Sequence, residues 1–129
     1  MQNEEFRFQN SNMEGNDLRK RTKQYALRIV KLVRALPNNQ ICWVVGKQLL
    51  RSGTSVGANY RAACRARSTK EFIAKIGIVI EEADESAFWI EIIIEAGIYD
   101  KTMIEPLLQE TNEIVAIMVA SSNTAQKKK

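Results

Sequence analysis

Hydrophobic residues recur every three or four positions along most of the chain, a spacing that places side chains on one face of an α-helix. The first such run follows a polar segment and ends at Pro37, where Asn38 and Asn39 favour a turn. This pattern predicts a first helix with Lys20, Lys23, Lys31 and Arg34 on the opposite face. Its apolar-face positions are Leu18, Thr22, Tyr25, Ile29, Leu32 and Leu36.

The second predicted helix covers about residues 40–67 and has three glycines in its interior. An interior glycine costs up to about 1 kcal/mol relative to alanine, so a packing reason is expected. For Gly53-x-x-x-Gly57 we expect that another helix backbone comes very close. The alternative is a kink or break near residues 52–54.

Capping signals mark the ends of the remaining two helices. Ser68 and Glu71 form a capping box that opens the third helix, and Gly97 is expected to end it. Thr102 and Glu105 have the same spacing and predict the start of the fourth helix. Short loops between four helices predict an all-α fold, an antiparallel up-down-up-down four-helix bundle.

The domain organisation follows from these elements. We expect a disordered polar leader at residues 1–16, the bundle at 17–122 and a basic disordered tail at 123–129. Pro106 would then fall in the first turn of the fourth helix, where proline is tolerated. No apolar run reaches the ~18 residues of a membrane span, and the leader lacks a signal peptide's apolar segment. We therefore expect a cytoplasmic protein with no membrane contact.

The absence of histidine narrows the chemistry that this chain can perform. It removes serine–histidine and cysteine–histidine catalysis, imidazole metal ligands and the Glu-x-x-His sites of many helix bundles. Cys42 and Cys64 lie on one predicted helix about 33 Å apart, too far for a disulfide, so we expect buried, reduced thiols. No catalytic residue, metal or cofactor is predicted.

Charge is divided unevenly along the chain, although the net charge is only +4. Residues 17–67 carry a net charge of +11, whereas residues 68–126 carry −8. The basic half therefore either contacts a polyanion or pairs with the acidic half, within one chain or between subunits.

Two sets of cations are candidates for phosphate contact. On the first helix they lie opposite the apolar face, and on the second they fall within an arc of about 80°. The alternative for the second set is pairing with the acids at residues 81–85. The candidate nucleic-acid-binding residues are Lys20, Lys23, Lys31, Arg34, Lys47, Arg51, Arg61 and Arg65, supplemented by the lysines at 127–129.

The third predicted helix is apolar on two sides, and a helix of this kind is usually buried on both. Only one side can face the core of a four-helix bundle, so we expect the other to contact a second subunit. Exposed aromatic residues and a partner protein are the alternatives. The predicted subunit-interface residues are Ile78, Glu81, Glu85, Phe88, Trp89 and Ile92. A polar line on the second helix is expected to bond close helices together or to hold a small ligand, and it consists of Gln48, Ser52, Ser55 and Asn59.

Residues 48–91 read QLLRSGTSVGANYRAACRARSTKEFIAKIGIVIEEADESAFWIE. This segment resembles the four-helix-bundle proteins encoded in intervening sequences of bacterial 23S rRNA genes, and the resemblance extends over about residues 17–120. It implies a homopentameric ring. A related branch, the accessory variability proteins of diversity-generating retroelements, is thought to bind nucleic acid and a reverse transcriptase. The family defines no catalytic residues. Where many members read Asn-Ile-Ala-Glu-Gly, residues 59–63 read Asn-Tyr-Arg-Ala-Ala, so an acid is replaced and an arginine gained.

Three functions are compatible with these patterns. The first is a non-enzymatic nucleic-acid-binding or adaptor protein, directed at RNA and, on the resemblance, an accessory to a reverse transcriptase. The second is an assembly or protein-partner module whose basic stripe is used in subunit pairing. The third, a minor alternative, is a Mg²⁺-dependent nucleotide pyrophosphohydrolase that uses Glu82-x-x-Glu85 and Glu110-x-x-Glu113, although such acid pairs are commonly salt-bridged.

Overall fold

The chain folds into α-helices joined by short loops. The computed structural model describes residues 12–128, and their side chains from residue 17 onward. The helices are α1 (Asn12–Ala35), α2 (Gln40–Cys64), α3 (Thr69–Glu95) and α4 (Lys101–Lys127). Residues 12–128 contain no β-strand, and the predicted all-α class is confirmed.

The four helices pack in the order of the chain. Each helix packs along the next, and α4 makes a thinner contact with α1. Because the loops are only four or five residues long, consecutive helices run antiparallel, the order expected for an up-down-up-down bundle. The core draws on all four helices, and its fully buried residues include Tyr25, Leu49, Ile90 and Ile114. None of the described helices combines the length and hydrophobicity that a bilayer crossing requires.

Local hydrogen bonds set both ends of α3, as the sequence predicted. Ser68 Oγ accepts a bond from the backbone N–H of Glu71 at 3.0 Å. Gly97 follows the last turn with φ at 66°, and the N–H of Ile98 returns to the carbonyl of Ile93 at 3.0 Å. This is the Schellman arrangement, in which a left-handed glycine satisfies the last carbonyls of a helix.

The start of α4 differs from the prediction. Asp100, not Thr102, is the N-cap, because its Oδ1 accepts bonds from the backbone N–H and the hydroxyl of Thr102 at 3.0 and 2.9 Å. Aspartate caps a helix at least as well as threonine does. The helix therefore begins earlier, and Pro106 lies inside it, beyond the first turn.

Two segment boundaries also differ from the expected ones. Residues 1–11, most of the predicted leader, lie outside the described residues, and α1 already begins at Asn12. α4 continues to Lys127, through most of the segment expected to be a disordered tail. The physical reason is that Ser122 and Ala125 are buried and continue the inward face of the helix. Such small side chains contribute little to a hydrophobicity pattern.

Glycines allow α1 and α2 to approach each other closely, as predicted. A Cβ added to Gly57 would lie 3.2 Å from the backbone oxygen of Thr22, and one added to Gly53 would lie 2.8 Å from Ile29 Cγ1. α2 runs unbroken through residues 52–54, so the chain does not adopt the alternative kink.

Buried hydroxyl groups link the helices in two pairs. The Tyr25 hydroxyl bonds Thr111 Oγ1 at 2.6 Å, joining α1 to α4, and Ser52 Oγ bonds Ser86 Oγ at 2.8 Å, joining α2 to α3. Thr111 already donates to the Leu107 carbonyl one turn earlier, so Tyr25 is the donor in the first pair. In the second pair both serines also lie within bonding distance of a backbone carbonyl, Ser52 of Leu49 at 3.4 Å and Ser86 of Glu82 at 2.8 Å. Burial raises the pKa of Tyr25 to about 12.

Candidate nucleic-acid interface

The cations predicted on α1 all lie on its exposed side. The inward side of the helix is formed by buried residues such as Thr22, Tyr25 and Ile29, which face α2 and α4. The exposed cations are Lys20, Lys23, Lys31 and Arg34. Within the described residues none of the four forms an ion pair. They extend over about 21 Å of helix, at 1.5 Å per residue.

All four cations predicted on α2 are exposed, but only three of them are without an ion pair among the described residues. Lys47, Arg61 and Arg65 form no ion pair within residues 17–128. α1 and α2 are antiparallel, so Lys47 lies level with the end of α1 and lines the same groove as Arg34. We call this set the basic face, and it consists of Lys20, Lys23, Lys31, Arg34, Lys47, Arg61 and Arg65.

Arg51 lies apart from the basic face because it is bonded to α3. Its Nη1 donates to the Glu82 carboxylate at 2.9 Å, and its Nη2 donates to Glu85 at 2.7 Å. The bond with Glu85 is the main reason why the pKa of Arg51 is raised, and it likewise lowers the pKa of Glu85. Pairing with the acidic third helix, one of the two sequence-based alternatives, is therefore what the structure shows for Arg51.

A second arginine, which the sequence did not indicate, joins α1 to α4. Arg21 donates to both oxygens of Glu110, at 2.7 and 2.6 Å, and to Glu113 at 2.8 Å. The Glu110 bonds hold the pKa of Arg21 above its usual value. One sequence signal was available, because Arg21 lies one turn before the inward-facing Tyr25. Its partners, however, are about 90 residues away, beyond any local pattern.

Both Glu-x-x-Glu motifs are therefore bonded to arginine. Glu82 and Glu85 hold Arg51, and Glu110 and Glu113 hold Arg21. The described residues contain no group of three or more His, Cys, Asp or Glu side chains arranged to hold a metal ion. This geometry favours a structural function for the four carboxylates.

The outer side of α3, the predicted subunit interface, is only partly covered by its own chain. Phe88 is 51% exposed and Ile78 is 38% exposed, whereas Trp89 and Ile92 are half-buried. The rings of Phe88 and Trp89 pack edge to face, with centroids 5.0 Å apart. Glu81 is exposed and forms no ion pair within the described residues. The surface thus combines apolar rings with an uncompensated acid.

A groove that the sequence did not indicate lies at the corner between α1 and α2. Its volume is about 390 Å³, and it is lined by residues from the end of α1, the turn and the start of α2. Trp43 lies at this groove with 61% of its surface exposed, and its indole N–H donates to Asn38 Oδ1 at 2.6 Å. Arg34 and Lys47 of the basic face line the same groove. A sequence signal existed, because Trp43 precedes Lys47 by one turn on the exposed side of α2.

The polar line on α2 is hydrogen-bonded within α2 and to α3. Ser52 is bonded to Ser86 of α3, as described above, and Asn59 Nδ2 donates to the carbonyl and the hydroxyl of Ser55 at 2.9 and 2.7 Å. Gln48 is half-buried. These bonds favour helix pairing over a small-ligand site.

Comparisons with known proteins agree with this architecture. The family described as 23S rRNA-intervening sequence protein matches residues 14–120. A crystal structure of a protein with unknown function from the S23 ribosomal protein family of Bacteroides thetaiotaomicron VPI-5482 is similar at a TM-score of 0.79 and 35% sequence identity, over 84% of this chain and 97% of that one. No curated protein matches the chain. Because the family match spans most of the chain, including the residues that carried the resemblance, the chain belongs to the 23S rRNA-intervening sequence protein family.

Proposed function

We propose that this chain is a non-enzymatic nucleic-acid-binding or adaptor protein that contacts RNA phosphates through its basic face. The observation that carries the proposal is the division of the cations. Within the described residues, the seven cations of the basic face are exposed and form no ion pair, whereas Arg21 and Arg51 bond acids elsewhere.

The dimensions of the basic face suit a nucleic-acid backbone. One strand of duplex DNA places a phosphate about every 3.4 Å along the helix axis, so the ~21 Å covered by the α1 cations would match about six phosphates. Lysine and arginine contacts of this kind supply affinity and orientation but little sequence readout. The proposal therefore predicts salt-sensitive binding with weak sequence preference.

The proposal includes self-association through the outer side of α3, for which the family resemblance implies a ring of five subunits. A ring would repeat the basic face and raise avidity without new contacts. An accessory role beside a reverse transcriptase rests on the resemblance alone.

A second candidate function is an assembly or protein-partner module. It is favoured by the exposed Phe88 and the unpaired Glu81 on α3. In a ring, one face of a subunit meets a different face of the next, so this surface would pair with the basic face of a neighbour. The basic face would then be unavailable to RNA.

A binding titration tests the proposal. Labelled structured RNA and duplex DNA are titrated with the full chain at ~50 and ~200 mM salt, where 6–10 phosphate contacts per oligomer predict a fall in affinity of roughly 10³–10⁵. On duplex DNA, the double variant Lys20→Gln/Lys31→Gln should reduce the steepness of log affinity against log salt by about 2 for each subunit in contact. Stronger binding to RNA would indicate that RNA is the natural partner.

The matched control is Lys70→Gln/Lys101→Gln, which removes the same charge from the first turns of α3 and α4, off the basic face. It should leave the salt slope unchanged. If the wild-type oligomer binds neither nucleic acid at low salt, the proposal is wrong. Loss of oligomeric mass in Lys20→Gln/Lys31→Gln, with no RNA binding by the wild type, would favour the assembly module.

A further inference from the structure

The groove between α1 and α2 has the composition of a nucleotide site. Apolar side chains such as Val33 and Leu36 line it together with the indole of Trp43. Arg34 and Lys47 also line it, are exposed, and form no ion pair within the described residues. A flat aromatic ring beside two cations matches a base attached to its phosphates.

Trp43 is held in a defined orientation although most of it is exposed. Its indole N–H is bonded to Asn38 Oδ1 at 2.6 Å, so the polar edge of the ring is satisfied within the chain. An exposed indole fixed in this way presents its apolar face without first having to be ordered. Successive bases in single strands stack on aromatic side chains placed like this beside a basic groove.

Stacking on a side chain requires a base whose face is uncovered, so it favours unpaired bases. Within a duplex each base face is covered by its neighbours, whereas loops, bulges and single strands can turn a base onto an aromatic ring. We propose that the Trp43 groove takes an unpaired RNA base by stacking, with the adjacent phosphates on Arg34 and Lys47. This inference rests on the proposed function and adds a preference for single-stranded RNA to it.

The experiment compares a short oligouridylate with a blunt RNA duplex. Stacking on one aromatic residue is worth roughly 5- to 150-fold in affinity. Trp43→Ala should therefore weaken oligouridylate binding by that factor and leave duplex binding and the salt slope nearly unchanged. The matched control is Ile41→Ala, at a residue on the same helix end that is 67% exposed and does not line the groove. It should bind like the wild type.

A fluorescence measurement reports on the stacking contact itself. The chain has two tryptophans, so Trp89→Phe, checked first for the wild-type oligomeric mass because Trp89 is a predicted interface residue, leaves Trp43 as the only one. Oligouridylate should quench its emission in this variant, and the duplex should quench it far less.

Four outcomes separate this inference from the proposed function. Selective loss of oligouridylate affinity in Trp43→Ala, with quenching, supports the groove. Equal oligouridylate binding by Trp43→Ala and wild type, with weakened binding by Lys20→Gln/Lys31→Gln, overturns the groove and keeps the basic face. Failure of the wild type to bind either RNA overturns both. A changed oligomeric mass in Trp43→Ala shows that the groove is a subunit contact, and overturns the inference.

Discussion

Arg51 and Arg65 occupy neighbouring positions on the helical wheel of α2, yet only Arg51 bonds acids within the described residues. Arg51 lies opposite Glu82 and Glu85 in the middle of α3, whereas Arg65 caps the end of α2. The same type of side chain therefore joins two helices in one place and forms no ion pair among the described residues in the other. At the scale of single residues, the surroundings rather than the residue type decide this function.

Tyr25 makes stability depend on alkaline pH. An unfolded tyrosine ionises near pH 10, and the folded Tyr25 near 12, so between these values only the unfolded state loses the proton. Below pH 10 this residue does not lower the free energy of unfolding. As pH rises from about 10 to 12, the free energy of unfolding should fall by about 2–3 kcal/mol. Urea unfolding across this range should show the loss.

The variants Tyr25→Phe and Tyr99→Phe test whether Tyr25, rather than another group that ionises at alkaline pH, causes this fall in stability. Tyr25→Phe keeps the ring and should remove most of the fall in stability above pH 10. Tyr99→Phe changes a half-buried tyrosine in the α3–α4 loop and should retain it. Identical alkaline slopes in the two variants would contradict the assignment to Tyr25.

At the scale of elements, the contact between α1 and α2 depends on residues without side chains. Gly57 brings α2 within van der Waals distance of the α1 backbone, and Gly53 accommodates the side chain of Ile29. The two helices also bring Arg34 of α1 and Lys47 of α2 to the same groove. The packing of two helices thus shapes the candidate site as much as its cations do.

Replacing Gly53 by alanine should destabilise the protein. The new methyl group would lie 2.8 Å from Ile29 Cγ1, and overpacking of this kind typically costs about 1–3 kcal/mol, against at most ~1 kcal/mol gained in helix propensity. Gly77→Ala is the matched control, because nothing lies within 4 Å of its added Cβ in the chain. It should stabilise α3 by about 0.5–1 kcal/mol. Urea midpoints that move in the same direction for both variants would refute this packing argument.

At the scale of the whole molecule, most of the cations of the basic half are not paired with the acids of the other half among the described residues. Two arginines bond across helix pairs, while the seven cations of the basic face and Glu81 on α3 form no ion pair among the described residues. Charges left in this state can attract a polyanion or a second subunit. The proposed function uses the basic surface for RNA and the outer side of α3 for assembly.

Phe88→Glu tests the assembly surface. A charge in place of a 51% exposed ring should lower the mass measured by light scattering without unfolding the chain, because the ring lies outside the core. Met103→Glu is the control, since Met103 is similarly apolar and exposed but lies on α4. An unchanged mass in Phe88→Glu would show that this side of α3 is not the subunit contact.

The amino-acid sequence by itself determined the helices, the family and which cations face outward. These features depend on local physics, because periodicity orients a helix face, and Ser68 and Gly97 satisfy backbone groups a few residues away. Even locally the prediction failed where signals competed, as when Asp100 displaced Thr102 as the cap.

Only the tertiary structure decided which charges are paired and where an exposed ring meets a groove. Arg21 contacts Glu110 across about 90 residues of sequence, and Trp43 lines the same groove as Arg34 only because α1 and α2 turn back on each other. Such contacts depend on the register between helices, which is set by packing along their whole length. A one-dimensional pattern identifies the faces, but it does not specify that register.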